Sequence, residues 1–277
     1  LRGDNSREKT LFRSDVFSVY SHQPKNERAH FSINLAASLF HETSQKTILI
    51  DLGVDAADLL PGLESAPKAP LSEFCDLGTN TPDPALRHRT KHEAGFDVLS
   101  VFTDGSEGSS ENAIISILNH LSIEYRFILI DLPFEMSSLV LKTMTQSDFI
   151  FFATDSHINN IRQTQEAIAD VEKMIPASEG CTAVVMREIF FGVRTTSLVR
   201  HELFPKKRCF SLPALPLFEA KEPPREPLVV HAPDAEYSRV VRHIARYVSN
   251  NLVGVVLGSG AALGLAHIGV LKVLERE

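Results

Sequence analysis

The chain has 277 residues, 43% of them apolar and 23% charged, with a formal net charge of −7. This balance supplies one large core or two smaller ones and excludes a chain disordered throughout. It also offers no general attraction to nucleic-acid phosphates or anionic lipid headgroups. Cys75, Cys181 and Cys209 are odd in number and far apart, which suggests neither a disulfide framework nor a zinc site and points to a reducing compartment. No apolar run approaches the roughly 20 residues of a membrane-spanning helix, and the first residues carry no signal core.

Along the chain, short apolar runs alternate with segments of helical period. The runs 16–20, 47–51, 96–101, 127–131, 149–154 and 181–186 are too short for helices and rich in β-branched or aromatic residues, so they are predicted strands. Phe31, Leu35, Leu39 and Phe40 follow helical spacing, as do Ile114, Ile117, Leu118 and Leu121, and again Ile161, Ile168, Val171 and Ile175. Ser109 and Ser110 stand where a hydroxyl caps the second of these helices. Nearly continuous apolar strands alternating with helices imply a doubly wound α/β domain, a parallel sheet covered on both faces.

Seven prolines from Pro205 to Pro233 mark a linker or surface strap. A helix follows, with Tyr237, Val240, Val241, Ile244, Ala245 and Val248 on one side and a solvated face of Arg239, Arg242 and Arg246. The predicted organisation is a tail of an upstream module over 1–14, an α/β domain over 15–204, a linker over 205–233 and the start of a second unit over 234–277. Both ends read as cut, since the chain opens on Leu1 and stops inside a helical pattern with no Gly or Asn to close it.

Two glycine or turn regions carry candidate chemistry. In the first, the strand 16–20, the helix through Ile33-Asn34-Leu35-Ala36-Ala37, the strand 47–51 with Asp51, and Phe127-Ile128-Leu129-Ile130-Asp131 occur in sequence. Their order resembles the deviant-Walker partition and septum-site ATPases over roughly residues 17–216. The family's phosphate loop is rich in glycine and ends in Lys-Ser/Thr, whereas here the aligned run is Gln23-Pro24-Lys25-Asn26-Glu27-Arg28-Ala29. Pro24 lacks an N–H, Glu27 brings a like charge toward phosphate, Arg28 stands for lysine, and Ala29 has no hydroxyl for Mg²⁺. Arg28, Asp51 and Asp131 are therefore expected to be degenerate remnants of a nucleotide site in a pseudo-NTPase domain. The two carboxylates are expected to pair with nearby helix N-termini. No cofactor and no metal are expected.

The second region is a strand over 252–257, the run Gly258-Ser259-Gly260-Ala261-Ala262-Leu263-Gly264, and a following helix. That geometry aims backbone N–H groups at an anion. A dinucleotide fingerprint fits poorly, because the glycines are spaced G-x-G-x-x-x-G, and a P-loop fails for want of a Lys-Ser/Thr pair. The stretch Gly264 to Glu275 resembles the patatin-like phospholipase family, including the neuropathy target esterase group. The resemblance implies a serine lipid acyl hydrolase in which Gly258, Ser259, Gly260, Ala261 and Gly264 form the oxyanion loop, the serine nucleophile and its aspartate lying outside this chain. Leu263 departs from the basic residue usual in that family, and His267 is read as structural.

The resemblance further implies a phospholipid or lysophospholipid substrate and an upstream cyclic-nucleotide-binding domain. A cytoplasmic location is expected, with peripheral contact at the inner membrane face as an option, and the net charge of −7 implies no nucleic-acid partner. Most of the chain would then be a regulatory or scaffolding domain. The alternatives are a protein-interaction module or a partition-type ATPase.

Overall fold

The structure is a computed structural model that describes residues 13–23, 27–52, 67–75, 87–103, 109–189, 196–214, 226–254 and 264–274. The chain builds β1 (Asp15–Tyr20), α1 (Glu27–Thr43), β2 (Thr47–Asp51), β3 (Lys68–Pro70), β4 (Thr90–Lys91) and β5 (Asp97–Phe102). It continues with α2 (Ser109–Leu121), β6 (Phe127–Asp131), α3 (Ser138–Thr145), β7 (Phe149–Asp155), α4 (Ile158–Met174) and β8 (Thr182–Arg187). The last described elements are α5 (Ser197–Leu203), β9 (Arg208–Leu212), α6 (Leu228–His231), α7 (Glu236–Val248) and α8 (Gly264–Leu274).

The strands form one sheet in the order β3-β5-β2-β6-β1-β7-β8-β9, with β4 paired to β5. Every pairing is parallel except that of β4 with β5. The doubly wound expectation holds, and side-chain alternation along the strands explains it. In β6, Ile128 and Ile130 enter the core layer under α2, α3 and α4, whereas Phe127 and Leu129 enter the opposite layer under α1, α6 and α7. Successive residues of a strand face opposite sides, so a strand buried on both faces must be apolar throughout.

Chain order fixes where a ligand crevice can lie. From β1 the chain moves across β6 to β2, whereas from β6 it moves across β1 to β7. The connections diverge at the β6–β1 pair, and such a switch point opens a crevice at the carboxyl ends of the strands.

The sheet also extends beyond residue 204. The proline-rich stretch read as a linker contains β9, which pairs with β8 in parallel register from Ala183↔Arg208 to Arg187↔Leu212. Pro213 follows its last residue, and β9 lies at the end of the strand order, where a missing N–H is tolerated. The helix assigned to a second unit, α7, packs on α1 and β9 and buries Tyr237, Val241, Ile244 and Ala245 in the same core layer. Its arginine face is only partly solvated: Arg242 and Arg246 both bond Glu42 of α1, and Arg239 stays exposed. The hydrophobic periodicity of this helix was read correctly; its domain was not.

The last helix, α8, exposes Ile268, Val270, Leu271, Val273 and Leu274, each at least 40% accessible. Among the described residues, no helix is long and apolar enough to cross a membrane.

Candidate functional site

The crevice at the switch point is closed by an internal ion pair. Arg28 is the second residue of α1, the helix that follows β1 in the chain, and it is 2% exposed. Its Nε donates to Asp131 Oδ1 at 3.0 Å and Oδ2 at 3.1 Å, and its Nη2 donates to Oδ2 at 3.0 Å. Asp131, the last residue of β6, is fully buried. Ser32, one helical turn after Arg28, donates its hydroxyl to Asp131 Oδ1 at 2.6 Å. Both carboxylate oxygens are thus bonded by a guanidinium and a hydroxyl delivered from one face of α1.

This corrects the expected pairing of Asp131 with a helix N-terminus: its partners are side chains. Asp51 lies in register with Asp131 on the adjoining strand and is equally buried. Ser100, in register with Asp51 on β5, approaches its Oδ2 at 3.4 Å. The structure therefore brings the three remnant residues Arg28, Asp51 and Asp131 to one end of the sheet. Ser32 was not singled out by sequence reasoning, although its place four residues after Arg28 on the buried face was the available signal.

Nearby groups fill much of the rest of the crevice. Ala29, at the position of the family's hydroxyl residue, is 1% exposed. Phe31 packs edge-on against Phe151 with ring centroids 5.5 Å apart. The Tyr20 hydroxyl donates to the Phe134 carbonyl at 3.0 Å. Burial raises the phenol pKa above its ordinary 10.0, and the Arg28 charge opposes that rise. The cavity beside Arg28, lined by Ser21, Gln23, Phe31, Thr154 and Arg187, measures about 20 Å³. That is room for about one water, whereas ligand pockets span some 300–1,000 Å³.

The nucleotide and Mg²⁺ that the partition-ATPase resemblance implies do not fit these residues. The Asp131 oxygens are bonded from within the protein, and Ala29 supplies no oxygen to a cation.

Gly258, Ser259, Gly260 and Ala261 of the expected oxyanion loop lie outside the described residues, and Gly264 is the first residue of α8.

No family model matches the chain, and no curated protein matches it. Solved structures do. The chain is similar to a chain of the MinC:MinD cell division protein complex of Aquifex aeolicus, 16% identical, with a TM-score of 0.68 over 89% of this chain and 100% of that one. It is similar to a ParA family ATPase from Chlorobium tepidum, 12% identical, with a TM-score of 0.66 over 85% and 99% of the two chains. The septum site-determining protein MinD of Pyrococcus horikoshii, complexed with Mg-ADP, is 14% identical, with a TM-score of 0.59 over 85% and 96%.

The protein thus has the doubly wound fold of the partition and septum-site ATPases over most of its length. That finding overturns the patatin-like reading of the chain. A serine ester hydrolase was inferred from a short glycine run and one helix, whereas the match to MinD and ParA structures spans 85–89% of this chain. The fold is the one shared by these MinD and ParA structures.

Proposed function

We propose that this protein is a partition-type ATPase fold that no longer hydrolyses nucleotide and serves as a binding and regulatory module. The observation that carries the reading is the buried Arg28–Asp131–Ser32 constellation. A guanidinium takes the electrostatic place of a bound cation, so the carboxylate needs no metal to be neutralised. The exchange favours a permanently closed site over one that opens and closes with its ligand. Three cysteines without disulfides support a reducing compartment as its location.

A second reading, an active partition-type ATPase, draws on the retention of Asp51 and Asp131 at adjacent strand ends. Equilibrium dialysis against Mg²⁺ and ATP, with phosphate release followed in parallel, separates the two. The proposed module gives no saturable binding and no release above the blank. Stoichiometric binding accompanied by turnover establishes the second reading instead.

A further inference from the structure

The face of the sheet that carries α1 holds a second pocket, about 330 Å³ in volume, between the C-terminal half of α1 and the α6–α7 pair. Its lining is Ser38 and His41 of α1, Val229, Val230 and Pro233 in and just after α6, and Arg242 of α7. The volume lies within the range of small-molecule sites. Ser38 follows Arg28 on the same helix at a distance of about 15 Å along its axis. The two sites share no residue.

The walls are fixed before any ligand arrives. Asn34, one helical turn before Ser38, accepts the Val229 N–H through Oδ1 at 3.0 Å and so ties α6 to α1. Ser238 of α7 donates its hydroxyl to the Leu228 carbonyl at 3.1 Å and ties α6 to α7. At the floor lies a group that these contacts leave unused. Ser38 is 1% exposed, and its hydroxyl has no hydrogen-bond partner among the described residues. A helical serine can return its hydroxyl to the carbonyl four residues back, as Ser32 does to Arg28. A buried hydroxyl left without a partner costs stability, so Ser38 is better explained as a contact for a bound molecule than as a packing residue.

The rim is cationic. Arg242 donates its Nε to Glu42, which also accepts from Arg246. Two guanidiniums against one carboxylate leave this corner with an excess positive charge, in a chain whose net charge is −7. Among the described residues no carboxylate lines the pocket, and His41, at an exposed position, adds a second nitrogen donor to the rim. Val229, Val230 and Pro233 supply the apolar part of the lining.

We propose that the pocket between α1, α6 and α7 binds a small organic carboxylate. Its anionic group meets Arg242 and His41, its apolar body lies on Val229 and Val230, and a hydroxyl or carbonyl at its far end bonds Ser38. Such a ligand bridges α1 to the α6–α7 pair, and its binding is independent of whether nucleotide binds at the switch point.

4-Hydroxybenzoate carries all three features and serves as the probe. With the intact chain labelled at its histidine rings, titration shifts the His41 signal saturably. His157, which precedes α4 on the opposite face of the sheet, stays in place. The neutral twin 4-hydroxybenzamide, and inorganic phosphate, which lacks an apolar body, leave both signals unmoved. Ser38→Ala weakens the probe about fivefold to tenfold while the ligand-free protein melts no lower than the parent, a pairing that a structural hydroxyl does not give. Arg242→Gln, with Arg246 still holding Glu42, weakens it about tenfold or more. An unmoved His41 signal overturns the proposal, as does an equal response to 4-hydroxybenzamide or to phosphate. Unchanged probe binding in Ser38→Ala or in Arg242→Gln overturns it too. Joint shifts of His41 and His157 mark non-specific association with the surface and overturn it equally.

Discussion

Arg28 and Asp131 are 103 residues apart in sequence, yet the guanidinium of one and the carboxylate of the other form a nearly dehydrated pair at the switch point of the sheet. Desolvating two charges is costly, and the pair recovers that cost only while both members are present. Arg28→Ala and Asp131→Ala are each expected to destabilise the protein by about 3–5 kcal/mol, because each strands a buried charge. The double variant Arg28→Met with Asp131→Leu is expected to lose less than either single change. Urea denaturation measures all three, and additive losses in the double variant contradict the coupling.

The α1–α7 contact carries a pH signature. Glu42 is partly buried, which by itself raises its pKa, but the hydrogen bonds and charges of Arg246 and Arg242 outweigh burial and hold it below its ordinary 4.5. Its folded pKa is thus lower than its unfolded one. The unfolded state binds the proton more tightly, so stability from this group is full above the unfolded pKa and is lost as pH falls through the folded one. Glu42→Gln should flatten the acid limb of the stability–pH curve and cost about 1 kcal/mol at neutral pH, since both arginines are more than a third exposed and screened. Thermal melts from neutral pH down through the carboxylate range test this, and an unchanged acid limb refutes it.

Membership of α7 in the sheet domain is testable by truncation. Ile244 is fully buried between α1 and the sheet, so Ile244→Ala is expected to cost about 2–5 kcal/mol. Val273 on α8 is 51% exposed, and Val273→Ala is expected to change stability by no more than about 0.5 kcal/mol. Equal effects in chemical denaturation contradict the placement of either helix.

Gly95 has φ of +96°, and a Cβ built there falls 2.1 Å from Cε1 of Phe40. Gly95→Ala therefore meets both a disfavoured backbone region and a ring that must move. Its expected cost is about 1–3 kcal/mol or more. A variant as stable as the parent, measured by urea denaturation, rules out this turn geometry.

Much of this fold was legible because the central positions of β2 and β6, Ile48-Leu49-Ile50 and Ile128-Leu129-Ile130, are apolar on both faces. The helices α1, α2 and α4 were legible from their helical spacing. β9 was hidden by its surroundings: the prolines of 205–233 were weighed as one stretch, while Phe210 and Leu212 alternate inward within five residues. α3 was missed as well, although Ser137 caps it and Leu139, Val140, Thr143 and Met144 repeat on its buried side.

At the site, Arg28 was read as a poor substitute for a phosphate-binding lysine, a reading that left its internal partner unidentified. Arg28, Ser32, Leu35 and Leu39 share the buried face of α1, and an arginine on such a face requires an internal carboxylate. The glycine run near the C-terminus misled for the opposite reason. Strand, glycine turn and helix is a local geometry common to several chemistries, and it says little about the sheet that occupies the rest of the chain.

The central claim is that Arg28 permanently holds the place where a nucleotide and its metal would act. Its most direct test is the NMR signal of the Arg28 Nε–H, a buried donor bonded to Asp131, followed while Mg²⁺ and ATP are added. A slowly exchanging resonance that neither shifts nor broadens through millimolar ligand is the predicted result. A saturable shift, or loss of the signal as the guanidinium leaves Asp131, contradicts the claim.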